Sequence, residues 1–305
     1  MAKLNKHNNF DVYTISSADG KTTASFVPQK GGVCSSIIMP FANQERELLF
    51  QHDEFWDQEI KNLPGAWPFI FPICARIERQ GIAGDYLYDG HIYNMPIHGI
   101  SWWLPWQVSN ATDDEITLIF TDSKETLERY PFSFRIELHY KISDKMLTCT
   151  QHYFNTGDKS MPYSAGFHPY FLTPKANSGK EKVLLTYHPK RRFKYNERLS
   201  DLIGEQELLP SPISIADPRI NEQLVQLGGD KKVCLDYPDG MKINIEAVGA
   251  KDTEMYSYVQ IYTPAQESFI CVEPWTSFPN ALNTVAGVRW LRPGEKDVGI
   301  VKVWL

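Results

Sequence analysis

Apolar and polar residues alternate along much of the chain with a period of two. Phe134, Ile136, Leu138, Tyr140 and Ile142 alternate with Arg135, Glu137, His139 and Lys141. Such a segment has one apolar and one polar face, which predicts a half-buried strand. Ile243, Ile245 and Ala247 set against Lys242, Asn244 and Glu246 give a second. Ile116, Leu118 and Phe120 begin a third, and residues 146–154, 256–263 and 298–304 also read as strands. Turn signals separate them, among them Asp89-Gly90, Asn155-Thr156-Gly157, Gly228-Gly229 and Pro238-Asp239-Gly240. Many strands at close spacing predict an all-β protein built as a large antiparallel sandwich. Helical patterns are few and short: 54–61, and 123–129 with Asp122 or Ser123 as its cap. Neither supplies the helical layer of a parallel α/β fold. Residues 173–182, rich in Pro, Gly, Lys and Ser, read as a surface loop. With no internal repeat and no clear linker, 1–305 is expected to form a single domain.

Composition changes this picture little. Hydrophobic residues are 42% and charged residues 22%, as in ordinary globular proteins. The net charge of −6 argues against nucleic acid or an anionic membrane as a partner. No apolar run approaches the roughly 18 residues needed to span a bilayer. The polar start, Met1 to Asn9, lacks the apolar core of a signal peptide, so a cytoplasmic location is expected. The five cysteines, at positions 34, 74, 149, 234 and 271, include no Cys-x-x-Cys pair. They are expected as small packed hydrophobes, with no disulfide framework and no metal site. The oligomeric state has no signature in the chain.

Two segments share a design that bears on chemistry. Tyr163-Ser164-Ala165-Gly166-Phe167-His168-Pro169-Tyr170-Phe171 and Phe269-Ile270-Cys271-Val272-Glu273-Pro274-Trp275 each run apolar and extended into one titratable residue, a proline and an aromatic. Proline removes a donor and keeps the preceding residue extended, so His168 and Glu273 are expected at strand ends. Two readings follow from the residues alone. The prolines stop two strands, or they deliver an acid and a base beside an aromatic wall. Two further segments add candidates. Trp67-Pro68-Phe69-Ile70-Phe71-Pro72-Ile73-Cys74-Ala75-Arg76-Ile77 carries one arginine out of apolar surroundings, towards an internal carboxylate or a polar ligand. Asn94-Met95-Pro96-Ile97-His98-Gly99 sets a histidine beside a glycine suited to a tight turn or close approach.

Together these segments resemble the aldose 1-epimerase (galactose mutarotase-like) family over nearly the whole chain, from Gly31-Gly32 to Arg292-Pro293-Gly294. His168-Pro169-Tyr170-Phe171 and Glu273-Pro274-Trp275 look like its general-acid histidine and general-base glutamate. Arg76-Ile77 looks like its substrate-binding arginine and His98-Gly99 like its first active-site histidine. The order Arg, His, His, Glu also matches. The resemblance implies a galactose mutarotase-like supersandwich that interconverts the anomers of an aldose, with no cofactor. Ala75 stands where the family often has asparagine, and the sugar-binding aspartate of better-studied members has only Asp236 as a counterpart.

Ring opening needs one proton removed from the anomeric hydroxyl and one delivered to the ring oxygen. One base and one acid suffice, set on opposite sides of the hemiacetal with room for a single pyranose between them. A glycoside hydrolase would use two carboxylates, and only one stands in a motif. Two alternatives remain. A hexose-6-phosphate 1-epimerase would need a further cation for the phosphate, for which Arg79 is the candidate. A non-catalytic carbohydrate-binding module would need no acid and base pair.

Overall fold

The computed structural model describes residues 2–57, 63 and 65–305. About half of the chain is strand and about 6% is helix. The alternating segments form one nine-stranded antiparallel sheet. Its centre is Glu115–Thr121, Phe134–Ser143, Met146–Asn155, Lys296–Trp304 and Lys242–Gly249, side by side. Along Phe134–Ser143 every second residue, from Phe134 to Ile142, is buried. The buried face packs with Val225, Val259, Ile261, Ile270 and Val272 into one continuous core. Those five residues belong to a second, eight-stranded sheet containing Gln223–Leu227, Tyr258–Tyr262, Phe269–Trp275, Gly166–Phe167 and Phe69–Ile70. A five-stranded sheet covering 3–47 adjoins it, with isolated bridges pairing Cys34 with Trp67 and, just beyond that sheet, Leu49 with Phe171. The all-β antiparallel architecture therefore stands as expected.

The expected helices are shorter than their patterns. Lys124–Leu127 forms a single turn, and Ser123 caps it through a capping box with Thr126. Asp53–Trp56 is a 3-10 turn, and the rest of the expected segment, 58–61, lies outside the described residues. The 173–182 segment is more than a surface loop. Lys180 is 1% exposed, and its ammonium donates to the carbonyls of Pro264, Glu267 and Phe269 at 2.7, 2.8 and 3.2 Å. A buried cation needs such partners, and this one anchors the start of the Phe269–Trp275 strand. No helix among the described residues is long and apolar enough to cross a membrane.

Candidate active site

The Phe269–Trp275 strand continues past Pro274 instead of ending at it. Glu273 faces Gln260 and Pro274 faces Val259 in the neighbouring strand. Glu273 is thus inside a central strand, not at its end. On the other side, Gly166 pairs with Trp275 and Tyr170 pairs with Cys271. Between them, at His168-Pro169, the ladder is interrupted. The register is the same on both sides of the gap, so it sets His168 opposite Glu273. Prolines explain the gap. Thr276 donates to the Ala165 carbonyl, and two residues back along the same edge Pro274 has no N–H to donate. Pro169 has none either. Gly166 lets the strands close up, since a Cβ there would lie 2.5 Å from the Pro274 carbonyl oxygen.

Alternation then assigns the faces. Ile270 and Val272 enter the main core, whereas Cys271 packs on the other face with Tyr170 and Phe269. Glu273 shares that second face. His168 Nε2 and Glu273 Oε1 lie 3.3 Å apart, with His168 5% and Glu273 1% exposed. The His168 ring stacks on Tyr170 at 4.8 Å. His168 Nδ1 and Glu273 Oε2 are buried without a hydrogen-bond partner among the described residues.

His98 reaches the pair from a loop, and the edge of one imidazole meets the face of the other at 4.9 Å. A reciprocal clasp holds it. The Ala75 N–H donates to His98 Nδ1 at 3.2 Å, and the His98 N–H donates to the Ala75 carbonyl at 2.9 Å. Both residues adopt left-handed backbone, with φ of 61° and 62°. Because Nδ1 accepts, the ring's proton in the neutral form sits on Nε2. Gly99 follows at φ 79°, where a Cβ would lie 2.1 Å from the Phe71 carbonyl oxygen. This is the close approach expected of that glycine.

Arg76, His98, His168 and Glu273 line one open cleft of about 330 Å³, together with Gln260, Glu222, Tyr195 and Trp275. Arg76 is exposed, and among the described residues no hydrogen bond or ion pair holds its guanidinium. Its charge acts on the nearby Glu222 carboxyl, lowering it against the upward push of burial. Asp236 lies elsewhere, at the end of a strand in the nine-stranded sheet, paired with Lys242 at 3.0 Å. Arg79 sits in a short hairpin with Ile82 and does not line the cleft. Gln260, Glu222 and Tyr195 were not anticipated. The Tyr195 hydroxyl donates to Gln260 Oε1 at 2.8 Å, and Gln260 Nε2 donates to Glu222 at 3.1 Å. Gln260 was open to discovery, since Tyr258, Gln260 and Tyr262 alternate with Val259 and Ile261. Glu222 precedes its strand at φ 52° and carries no pattern.

Burial dominates the electrostatics. It pushes the Glu273 carboxyl well above the ordinary range, and the nearby Glu222 charge adds to this. It lowers His168 to about 3. His98 falls well below the usual histidine value through burial, then through His168 and Arg76. Burial thus works against the charged form of each group and favours a neutral imidazole beside a carboxylic acid. The distance also corrects an expectation. At 3.3 Å no pyranose fits between His168 and Glu273, so they form one wall that a sugar can only approach from the open side. The anomeric and ring oxygens share one carbon, so one wall can serve both. The Cys271 sulfur stands nearby, and donor atoms of His168, Cys271 and Glu273 all lie within 4.8 Å of one another.

A family model described as aldose 1-epimerase matches residues 11–300. The uncharacterized protein YihR of Escherichia coli K12 is 24% identical over 229 residues, 70% of this chain and 71% of that protein. In three dimensions the chain is similar to Slr1438 of Synechocystis sp. PCC 6803, with TM-score 0.79, 23% identity, and 96% and 94% of the two chains covered. It is likewise similar to a galactose mutarotase-like protein of Clostridium acetobutylicum, with TM-score 0.80, 20% identity, and 100% and 98% covered.

Proposed function

Because the chain belongs to the aldose 1-epimerase family, we propose that it is a mutarotase, an isomerase that interconverts the α and β anomers of a free aldose. The observation that carries this is the His168–Glu273 contact at 3.3 Å on the wall of a cleft also lined by Arg76 and His98. In this reading the sugar's hydroxyls donate to the unpartnered Glu273 Oε2, and with the Arg76 cation they favour the carboxylate. The acid proton then crosses the short contact to His168. His168 gives a proton to the ring oxygen while Glu273 takes one from the anomeric hydroxyl. The C–O ring bond breaks, the aldehyde turns, and closure on its other face reverses both transfers. The total protonation of the pair never changes, so no proton need come from solvent. His98 Nε2–H serves as a fixed donor to a sugar oxygen.

The phosphosugar alternative called for Arg79, which does not line the cleft, so the free aldose is the reading carried forward. The test is anomer exchange followed by polarimetry on fresh α-glucose and α-galactose. Glu273→Gln should abolish most of the acceleration and retain sugar binding. Sugar binding by the wild type with exchange no faster than buffer would overturn the enzyme reading and favour a binding module.

A further inference from the structure

The acid and base account for His168 and Glu273, but not for the thiol placed beside them. Cys271 is fully buried, two residues before Glu273 on the same face of the strand. It pairs directly with Tyr170, two residues after His168. The strand register therefore gathers a ring nitrogen, a thiol sulfur and a carboxylate oxygen within 4.8 Å of one another. No other group of three such donors is found among the described residues. Two polar atoms of this group, Glu273 Oε2 and His168 Nδ1, are buried without hydrogen-bond partners among the described residues.

We propose that His168, Cys271 and Glu273 form a three-donor site for a thiophilic divalent cation such as zinc, and that filling it switches off the acid–base pair. Zinc bonds of about 2.3 Å to sulfur and about 2.0–2.1 Å to nitrogen or oxygen put tetrahedral neighbours roughly 3.3–3.6 Å apart. His168 and Glu273 already stand at 3.3 Å, and with all three donors within 4.8 Å of one another the set has to contract by about 1 Å at most. Three protein donors leave a fourth tetrahedral position for a water or a sugar oxygen. A thiolate in the set favours zinc or cobalt over magnesium or calcium, which prefer oxygen. The proton balance is simple. The metal displaces the proton of the Cys271 thiol, and that of the Glu273 carboxyl, into solvent. It also occupies a lone pair of His168. Both groups needed for ring opening are then tied to the ion, and binding strengthens as pH rises.

The experiment is a titration of the purified full chain with Co²⁺, read by near-ultraviolet absorption. A thiolate-to-cobalt charge-transfer band should grow to one equivalent, be displaced by Zn²⁺, and weaken when saturating aldose is present. Cys271→Ala should remove the band and weaken zinc inhibition at least about tenfold, each variant being scaled to its own metal-free rate. Cys234→Ser, at the half-buried cysteine of the other sheet, should keep both. A band that survives Cys271→Ala, or that is lost with Cys234→Ser, would mean an adventitious ion only. Should Cys271→Ala fail to fold, the wild-type band and its suppression by aldose decide the matter, and absence of either overturns the site. This proposal shares residues with the mutarotase reading, but the two fail separately. A cobalt band on a protein with no anomer exchange overturns the mutarotase reading alone. Anomer exchange untouched by stoichiometric zinc overturns the metal site alone.

Discussion

The two large sheets use the same strand geometry for opposite ends. In the nine-stranded sheet, Phe134–Ser143 buries one face and leaves Arg135, Lys141 and Ser143 on the other exposed. In the eight-stranded sheet, all seven residues of Phe269–Trp275 are buried, including Glu273. Its inner face meets the core, and its outer face is roofed by loops and the cleft. The first sheet gains stability from an apolar layer. The second accepts buried ionisable groups, which are costly unless partnered. That difference separates scaffold from candidate site, and substitutions in the two sheets should fail in different ways.

The largest effect should fall on turnover. Glu273→Gln and His168→Asn should each slow anomer exchange by about 10²–10⁴-fold, the usual contribution of a positioned acid or base, with no loss of melting temperature at neutral pH. Ile136→Ala, in the other sheet, should do the reverse. It removes a fully buried side chain and should cost about 2–5 kcal/mol in denaturant unfolding. The exchange rate per folded molecule should stay as in the wild type. A turnover defect from Ile136→Ala as deep as that of Glu273→Gln would erase the distinction between the sheets.

Melting curves against pH should resolve the two buried groups. Glu273 is raised in the fold, so its neutral form supports stability, and that support is lost as pH rises from the ordinary value of 4.5. Glu273→Gln should flatten this alkaline arm. His168 is lowered, so its support is present above 6.5 and lost as pH falls towards about 3. His168→Asn should flatten the acid arm. Crossed or absent effects would contradict the neutral resting pair. Glu222→Gln, which removes a charge that raises Glu273, should shift the alkaline arm to lower pH. The smallest effect should come from Ala75→Gly. Relieving a left-handed φ of 61° should leave thermal stability unchanged or raise it by up to about 1 kcal/mol.

The first sheet was legible because period-two alternation survives wherever one face meets solvent. All six strands anticipated from pattern are present, with bounds shifted by a few residues at most. The site was legible in part. His168-Pro169 and Glu273-Pro274 marked two residues that line the cleft, for a reason that was half right. Proline does interrupt the ladder, but the interruption lies between two neighbouring strands, and Glu273 stays within a continuous one. Sequence spacing cannot show that 168 and 273 fall in register, because that depends on a pairing across more than one hundred residues of chain. Glu222 stayed hidden for the same reason. Ala75 was noted only as a departure from the family. Its left-handed backbone gives the position a physical meaning, since asparagine tolerates that conformation better than most residues.

The central claim is that a neutral, buried His168–Glu273 pair exchanges protons with a sugar without changing its total charge. Anomer exchange measured by saturation-transfer NMR from about pH 5 to about pH 8 tests it most directly, because an ordinary histidine would titrate near 6.5 within that window. The account predicts a rate well above the buffer reaction, with no fall on the acid side near pH 6.5, and its loss in Glu273→Gln. A rate that falls on the acid side with an apparent pKa near 6.5 would show that the pair titrates as a free histidine, and would contradict it.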